Sequence, residues 1–354
     1  MEKGLIRVLV IDDSAYNRRI LSEIINSCGF AQVVGIARDG EEGLKKAFEL
    51  RPDLITLDLE MPHMDGFTFL RILMKSLPTP VVVVSSLSED RNVFKALELG
   101  AIEFVAKPDN KSASQEEFQR ELLQKISFTN EIRMRNIQRR ISQQSAMKMG
   151  EVSEPHLRVV PVEVPKKVEL IAIGASTGGP SAIQSILTQL PEDLGAGIAI
   201  AQHMPPGFTR AFAERLNRTC KLEVKEAEPG DELAPGRVLV APGGKNLLLR
   251  KRRGKVIAIL EDKSEADKYI PSIDKLFLSG ADIFGPRMIA VVLTGMGSDG
   301  KEGAEAVKLN GGIVFTESEK TSIVFGMPRE VINSGIPDKV LNLEEIAKEI
   351  LKYC

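Results

Sequence analysis

Short apolar runs alternate with stretches of helical period along most of this chain. In the N-terminal third the runs fall at residues 5–11, 33–37, 54–57, 81–84 and 104–106, with helix-length patterns between them. Runs this short and this apolar predict strands buried on both faces. Helical crossovers between them predict a parallel sheet covered by helices on each side. From residue 166 the alternation resumes. Runs at 168–173, 197–201, 238–241, 289–293 and 313–316 read as strands, and 180–190, 208–217, 272–284, 301–309 and 343–352 as helices. Two more runs, 246–249 and 255–260, are joined by Arg252-Arg253-Gly254 and read as a hairpin. The expectation is α/β throughout: a five-stranded parallel sheet first, then a doubly wound, mainly parallel α/β domain with an added β-hairpin.

Between the two sets the pattern changes character. Residues 115–148 keep a helical period but turn polar and basic: Arg133, Arg135, Arg139, Arg140 and Lys148 stand against one acid, Glu131, between Phe128 and Met149. That reads as a solvated helix or as a docking surface for an acidic partner. Glu154-Pro155, Pro161 and Pro165 then break any helix, so an extended linker is expected there, with His156 exposed in it. The predicted organisation is a first domain at 1–126, a connecting helix and linker at 127–165, and a second domain at 166–354.

Composition narrows the function classes. A length of 354 residues suits roughly two domains. A net charge of −2 gives no pull toward nucleic acid, and no helix-turn-helix pattern occurs, which argues against a transcriptional regulator. The three cysteines, Cys28, Cys220 and Cys354, show neither metal-ligand spacing nor a paired framework, which fits a reducing cytoplasm. No apolar run is long enough to cross a bilayer, and Met1-Glu2-Lys3-Gly4 leads straight into a strand rather than a signal peptide. Any membrane protein involved is then a partner.

The chemistry of the first domain lies at its strand ends. Asp12 and Asp13 close the first strand, Asp58 the third, Ser85 the fourth, and Lys107 follows the fifth. In a parallel sheet these ends share one rim. Carboxylates gathered there repel unless a hard cation joins them; Mg²⁺ suits such oxygen ligands and keeps waters for an incoming phosphate. Lys107 can neutralise a phosphoryl group and Ser85 can hydrogen-bond it, which leaves Asp58 as the candidate nucleophile for an acyl phosphate. Asp12-Asp13-Ser14, Asp58 with Met61-Pro62-His63-Met64-Asp65-Gly66, Ser85 and Lys107-Pro108 resemble a two-component receiver domain over about 120 residues. The resemblance implies a flavodoxin-like fold with Asp58 as the phosphorylated residue. It also implies Mg²⁺ held by Asp12, Asp13, Asp58 and the backbone carbonyl of Glu60. Ser85 and Phe104 would form the switch pair, and Lys107 the phosphate contact.

In the second domain three strands end in a serine loop (Gly174-Ala175-Ser176-Thr177-Gly178-Gly179-Pro180), a histidine loop (Gln202-His203-Met204-Pro205-Pro206-Gly207) and an aspartate loop (Thr294-Gly295-Met296-Gly297-Ser298-Asp299-Gly300). A serine in a glycine-rich strand-to-helix turn suits a nucleophile, and equally suits holding a phosphate at a helix N-terminus. If the loops converge, His203 can take the Ser176 proton while Asp299 holds the imidazole tautomer. The surrounding glycines leave backbone N–H groups free for an oxyanion. Gly174-x-Ser176-x-Gly178 matches a nucleophile elbow, but the order Ser, His, Asp disfavours an α/β-hydrolase. Gly174-x-x-x-x-Gly179 also resembles a dinucleotide-binding loop. Against that stand Ser176 in place of the middle glycine, and Gln202-His203 where a ribose-binding acid would be wanted.

These three loops and Pro271-Ser272-Ile273-Asp274 resemble the catalytic domain of the protein-glutamate methylesterases of bacterial chemotaxis, and the order receiver, linker, esterase matches too. The resemblance implies a triad of Ser176, His203 and Asp299, with the Met296 backbone and Thr177 near the oxyanion site. The family often carries Asn or Asp where Ser298 stands. It further implies hydrolysis of glutamate methyl esters, and probable deamidation of glutamines, on the cytoplasmic helices of chemoreceptors. The implied phosphodonor is the chemotaxis histidine kinase, and no cofactor is implied in the catalytic domain. The unphosphorylated receiver is expected to cover the serine site. The rival reading is a response regulator whose second domain only binds a receptor.

Overall fold

The computed structural model describes residues 4–86, 90–108, 115–129, 132, 134, 136–138, 141, 167–265 and 267–354. The chain divides into two compact units, Met1–Ser145 and Ala146–Cys354. Most of the connection expected over 127–165, including Arg133, Arg135, Arg139, Arg140, Lys148 and His156, lies outside the described residues.

In the first unit the strands are β1 (Ile6–Ile11), β2 (Ala31–Ala37), β3 (Leu54–Leu57), β4 (Val81–Ser85) and β5 (Glu103–Ala106). They form one parallel sheet in the order β2-β1-β3-β4-β5, the flavodoxin-like arrangement. Central β3 and β4 are buried at every position, as strands covered on both faces must be.

In the second unit the strands are β6 (Leu170–Ala175), β7 (Gly197–Gln202), β8 (Glu223–Glu226), β9 (Arg237–Val240), β10 (Lys245–Arg252), β11 (Lys255–Asp262), β12 (Met288–Val292), β13 (Ile313–Glu317) and β14 (Lys339–Leu341). Seven of them make a wholly parallel sheet in the order β14-β13-β12-β6-β7-β9-β8, and β10 and β11 form the separate antiparallel hairpin. From β6 the chain passes to β7, then to the edge strand β8, and back to β9 between them. It later returns to the other side of β6 and builds outward through β12, β13 and β14. The reversal between β6 and β12 is a topological switch point, where loops at the carboxyl ends diverge and leave a crevice.

Helix Ile273–Phe284 fixes how this crevice is walled. Its buried residues Ile273, Leu276, Phe277, Gly280, Ala281 and Phe284 recur at helical spacing. The helix lies against both the sheet and the hairpin, whose Leu247, Leu249 and Ala258 share the same core. The Ser279 hydroxyl also accepts the Leu249 N–H at 3.1 Å. The helix therefore starts at the carboxyl rim of the sheet, with its N-terminal amides facing the loop after β12.

Candidate active site

The serine, histidine and aspartate loops follow β6, β7 and β12, which are adjacent strands. Backbone bonds stitch the three strand ends together. His203 N–H donates to the Ala175 carbonyl at 3.1 Å, Ser176 N–H to the Thr294 carbonyl at 3.0 Å, and Leu293 N–H to the Gly174 carbonyl at 2.9 Å. The Gln202 side chain adds a staple, its Nε2 donating to the carbonyls of Ser176 and His203 at 3.0 and 3.1 Å.

His203 and Asp299 are directly bonded, Nε2 to Oδ2 at 2.7 Å. Asp299 is 3% exposed, so its charge needs partners. Helix Ile273–Phe284 supplies them at its N-terminus: Ile273 N–H donates to Oδ2 at 2.8 Å, and Asp274 N–H and the Ser272 hydroxyl to Oδ1 at 3.0 and 3.3 Å. Gly300 N–H adds a bond to Oδ1 at 3.1 Å. Burial opposes ionisation of Asp299. The His203 hydrogen bond, with the two helix amides, outweighs it and holds the carboxyl below its usual range. With Nε2 engaged by a carboxylate, Nδ1 is the nitrogen left to accept a proton.

Ser176 is 7% exposed. No hydrogen bond joins its hydroxyl to His203 among the described residues, a looseness common where no substrate is bound. Gly295 lies directly against it: a methyl there would come within 2.6 Å of Ser176 Cβ and 2.5 Å of Met327 Sδ. Only glycine lets this loop's backbone approach the serine so closely, with Met296 as the next residue. Among the described residues neither the Met296 nor the Thr177 N–H has an acceptor, and Thr177 Oγ1 is buried without a partner. Free donors beside a serine are what an oxyanion requires. Ser298, two residues on, is exposed.

Four features were invisible to pattern reading. Tyr269 stacks on His203, ring centroids 5.0 Å apart and planes within 4°. Glu317, fully buried at the end of β13, accepts the Thr294 N–H at 2.9 Å. The Thr294 hydroxyl donates to the Thr177 carbonyl at 2.9 Å and accepts the Val324 N–H at 3.0 Å. The segment from Val324 to Met327 braces Gly295, accepting its N–H and donating to its carbonyl. The signals available were a tyrosine just before Pro271, an acid ending an apolar run, and Gly326-Met327-Pro328 opening a short helix.

At the rim of the first unit, ligand atoms of Asp12, Asp13 and Asp58 lie within 4.8 Å of one another. Lys107 Nζ bonds Asp58 Oδ2 at 2.5 Å and Asp12 Oδ2 at 3.0 Å. Burial, opposed by Lys107 and reinforced by the Asp12 charge, pushes Asp58 up to about 6. So crowded an acidic cluster suits a hard divalent cation. Glu60 N–H points to Asp58 Oδ1 at 3.4 Å. Ser85 and Phe104 are both buried, and the Phe104 carbonyl bonds Lys125 Nζ.

Comparison with known proteins bears on both units. The profile of the family described as CheB methylesterase matches residues 171–350, and that of the response regulator receiver domain matches residues 8–119. A protein from Geobacter sulfurreducens named protein-glutamate methylesterase/protein-glutamine glutaminase 3 is 47% identical over 99% of this chain and 97% of its own. A Thermotoga maritima protein named protein-glutamate methylesterase/protein-glutamine glutaminase is 40% identical over 99% of both chains. The crystal structure of the Thermotoga maritima CheB methylesterase catalytic domain superposes with a TM-score of 0.52 at 42% identity, covering 53% of this chain and 99% of that one.

Proposed function

The chain belongs to the CheB methylesterase family, and from that membership and the geometry around Ser176 we propose a phosphorylation-activated serine hydrolase that demethylates glutamate methyl esters on chemoreceptors. The observation that carries the chemistry is the 2.7 Å bond between His203 and Asp299 at strand ends adjoining the serine loop. Residues 166–354 are the catalytic domain, 1–126 the receiver and 127–165 the connection between them.

Ser176 Oγ attacks the ester carbonyl and passes its proton to His203 Nδ1. Asp299 holds the Nε2–H and stabilises the imidazolium. The tetrahedral oxyanion is received by the Met296 N–H and by Thr177; one such donor is worth ~3 kcal/mol of barrier. His203 returns the proton to the departing methoxide, which leaves as methanol. Water then adds to the acyl-enzyme by the same route and frees the glutamate carboxylate. With ammonia as leaving group the same steps deamidate a glutamine, in keeping with the relatives' second name.

In the receiver, Asp58 accepts the phosphoryl group from the chemotaxis histidine kinase in the cytoplasm. The residues fit Mg²⁺, with Asp12, Asp13, Asp58 and the Glu60 carbonyl to hold it; the ion would offset negative charge on the cluster and on the incoming phosphate. Lys107 contacts the phosphoryl group, and Ser85 and Phe104 report its arrival. The unphosphorylated receiver restrains the esterase, and phosphorylation shifts the population toward the active state. Methanol release from methylated receptor, measured with and without Mg²⁺ and a small phosphodonor, tests this. Release stimulated by both together is expected. A chain that binds receptor yet releases no methanol would be the non-catalytic binding module instead.

A further inference from the structure

Tyr269 has no part in the scheme above, yet its ring lies on the base. The phenol plane is parallel to the His203 imidazole within 4°, at a centroid separation of 5.0 Å. Its other end reaches the loop that carries Met296 and Asp299. A methyl on Gly297 would come within 2.2 Å of Tyr269 Oη and 3.0 Å of Cζ. One side chain therefore spans from the imidazole to the residue after Met296. The two contacts differ in kind. The ring stacks on His203, whereas the hydroxyl only abuts backbone and makes no hydrogen bond among the described residues.

The ring is held in place by its flanks. Tyr269 is half-buried between β11 and helix Ile273–Phe284. Fully buried Asn246, on β10, ties down both sides of that stretch. Its Nδ2 donates to Asp267 Oδ2 at 3.0 Å, and its Oδ1 accepts the Ser272 N–H at 2.8 Å. Tyr269 falls between these two tethers.

His203 needs more than Asp299 to be aimed. The 2.7 Å bond to Asp299 fixes Nε2 at one edge of the imidazole. A bond at one atom leaves the ring free to tilt about it. A parallel aromatic face opposes that tilt, so edge and face together set where Nδ1 points. The face also responds to charge. An aromatic face is negative, so it attracts a cation more strongly than a neutral ring. His203 is neutral before it takes the Ser176 proton and cationic once it holds it. The stack is therefore stronger in the transition state than in the ground state, and only such a difference lowers a barrier. Lys268 Nζ lies 5.3 Å from the centroid of the same phenol ring, but Lys268 is exposed and its charge is screened by solvent.

We propose that Tyr269 is a positioning residue for acyl transfer, whose aromatic face, not its hydroxyl, holds His203 and favours the imidazolium. The inference rests on the esterase reading and deepens it by one residue.

The test compares the phosphodonor-treated full chain with Tyr269→Phe and Tyr269→Leu in methanol release from methylated receptor. Phenylalanine keeps the face and drops the hydroxyl; leucine fills the space without a face. Tyr269→Phe should keep kcat within about twofold, and Tyr269→Leu should lose about tenfold with KM unchanged, as one cation–π contact of ordinary strength is worth. Nuclear magnetic resonance gives a readout independent of turnover. The Tyr269 ring current should displace the His203 ring-proton resonances; Tyr269→Leu should abolish the displacement and Tyr269→Phe retain it. The proposal is overturned if Tyr269→Leu matches the wild-type kcat, if Tyr269→Phe falls as far as Tyr269→Leu, if the loss in Tyr269→Leu lies in KM alone, or if its His203 resonances do not move. A wild type that releases no methanol, with the displacement intact, would instead overturn the esterase reading, and this proposal with it.

Discussion

Asp299 collects five hydrogen-bond donors while the Ser176 hydroxyl engages none among the described residues. The difference suits a fixed anion that orients the base and a nucleophile left free to move onto substrate. Asp299→Asn would turn an amide N–H toward His203 Nε2 and favour the wrong tautomer. A fall of about 10⁴-fold in kcat with an unchanged fold is expected, read by steady-state kinetics alongside circular dichroism. Gln202→Leu would leave the Ser176 and His203 carbonyls without their buried donor. Thermal unfolding should show a loss of about 1–3 kcal/mol, with kcat lowered more than KM is raised. Ser176, His203 and Asp299 stood out in the sequence because each lies in the loop that follows an apolar run. Tyr269 and Glu317 were not: each acts through a tertiary contact, on His203 and on Thr294, that no local period encodes.

Helix Ile273–Phe284 is the element on which the site's electrostatics depend, because its first amides hold Asp299. It sits so close to β6 that a methyl on Gly174 would lie 2.3 Å from Ile273 Cγ2. Gly174→Ala should therefore push the helix start away from the sheet, with a cost of about 1–3 kcal/mol in thermal unfolding and a matching loss of turnover. The same helix start is tied to the hairpin through Asp267, which accepts from Asn246 Nδ2 at 3.0 Å, Ser264 N–H at 2.9 Å and Lys275 Nζ at 2.7 Å. Burial opposes its ionisation, but Lys275, Ser264 and Asn246 outweigh burial and bring it down to about 2. A carboxyl depressed in the folded state stabilises above its unfolded value and loses that contribution as pH falls toward the folded one. Unfolding followed between about pH 4 and 2 should show the wild type losing stability more steeply than Asp267→Asn. At this scale the elements missed were β8, β14 and helix Met327–Asn333. The two strands are sheet edges of four and three residues with charged or exposed positions, too short to show an apolar run. The helix spans seven residues, two turns.

For the whole molecule, strand order explains why residues more than a hundred positions apart in sequence can serve one reaction. In a parallel sheet every carboxyl end faces the same rim, and the reversal between β6 and β12 opens the crevice there. The alternation of apolar runs and helical periods made both α/β units legible. The order of strands was not written in any local pattern, since crossover lengths permit several. Each unit has its own core, so a fragment beginning at Lys167 should fold and release methanol without phosphodonor; equal rates for that fragment and the untreated full chain would remove the case for restraint by the receiver. Chelation of Mg²⁺ should abolish stimulation of the full chain by phosphodonor and leave the fragment unaffected. The most direct test of the central claim is methanol release from methylated chemoreceptor by the wild type and by Ser176→Ala, each with Mg²⁺ and phosphodonor. The account predicts receptor binding by both and turnover reduced by about 10⁴-fold or more in the variant. Undiminished release by Ser176→Ala would contradict it.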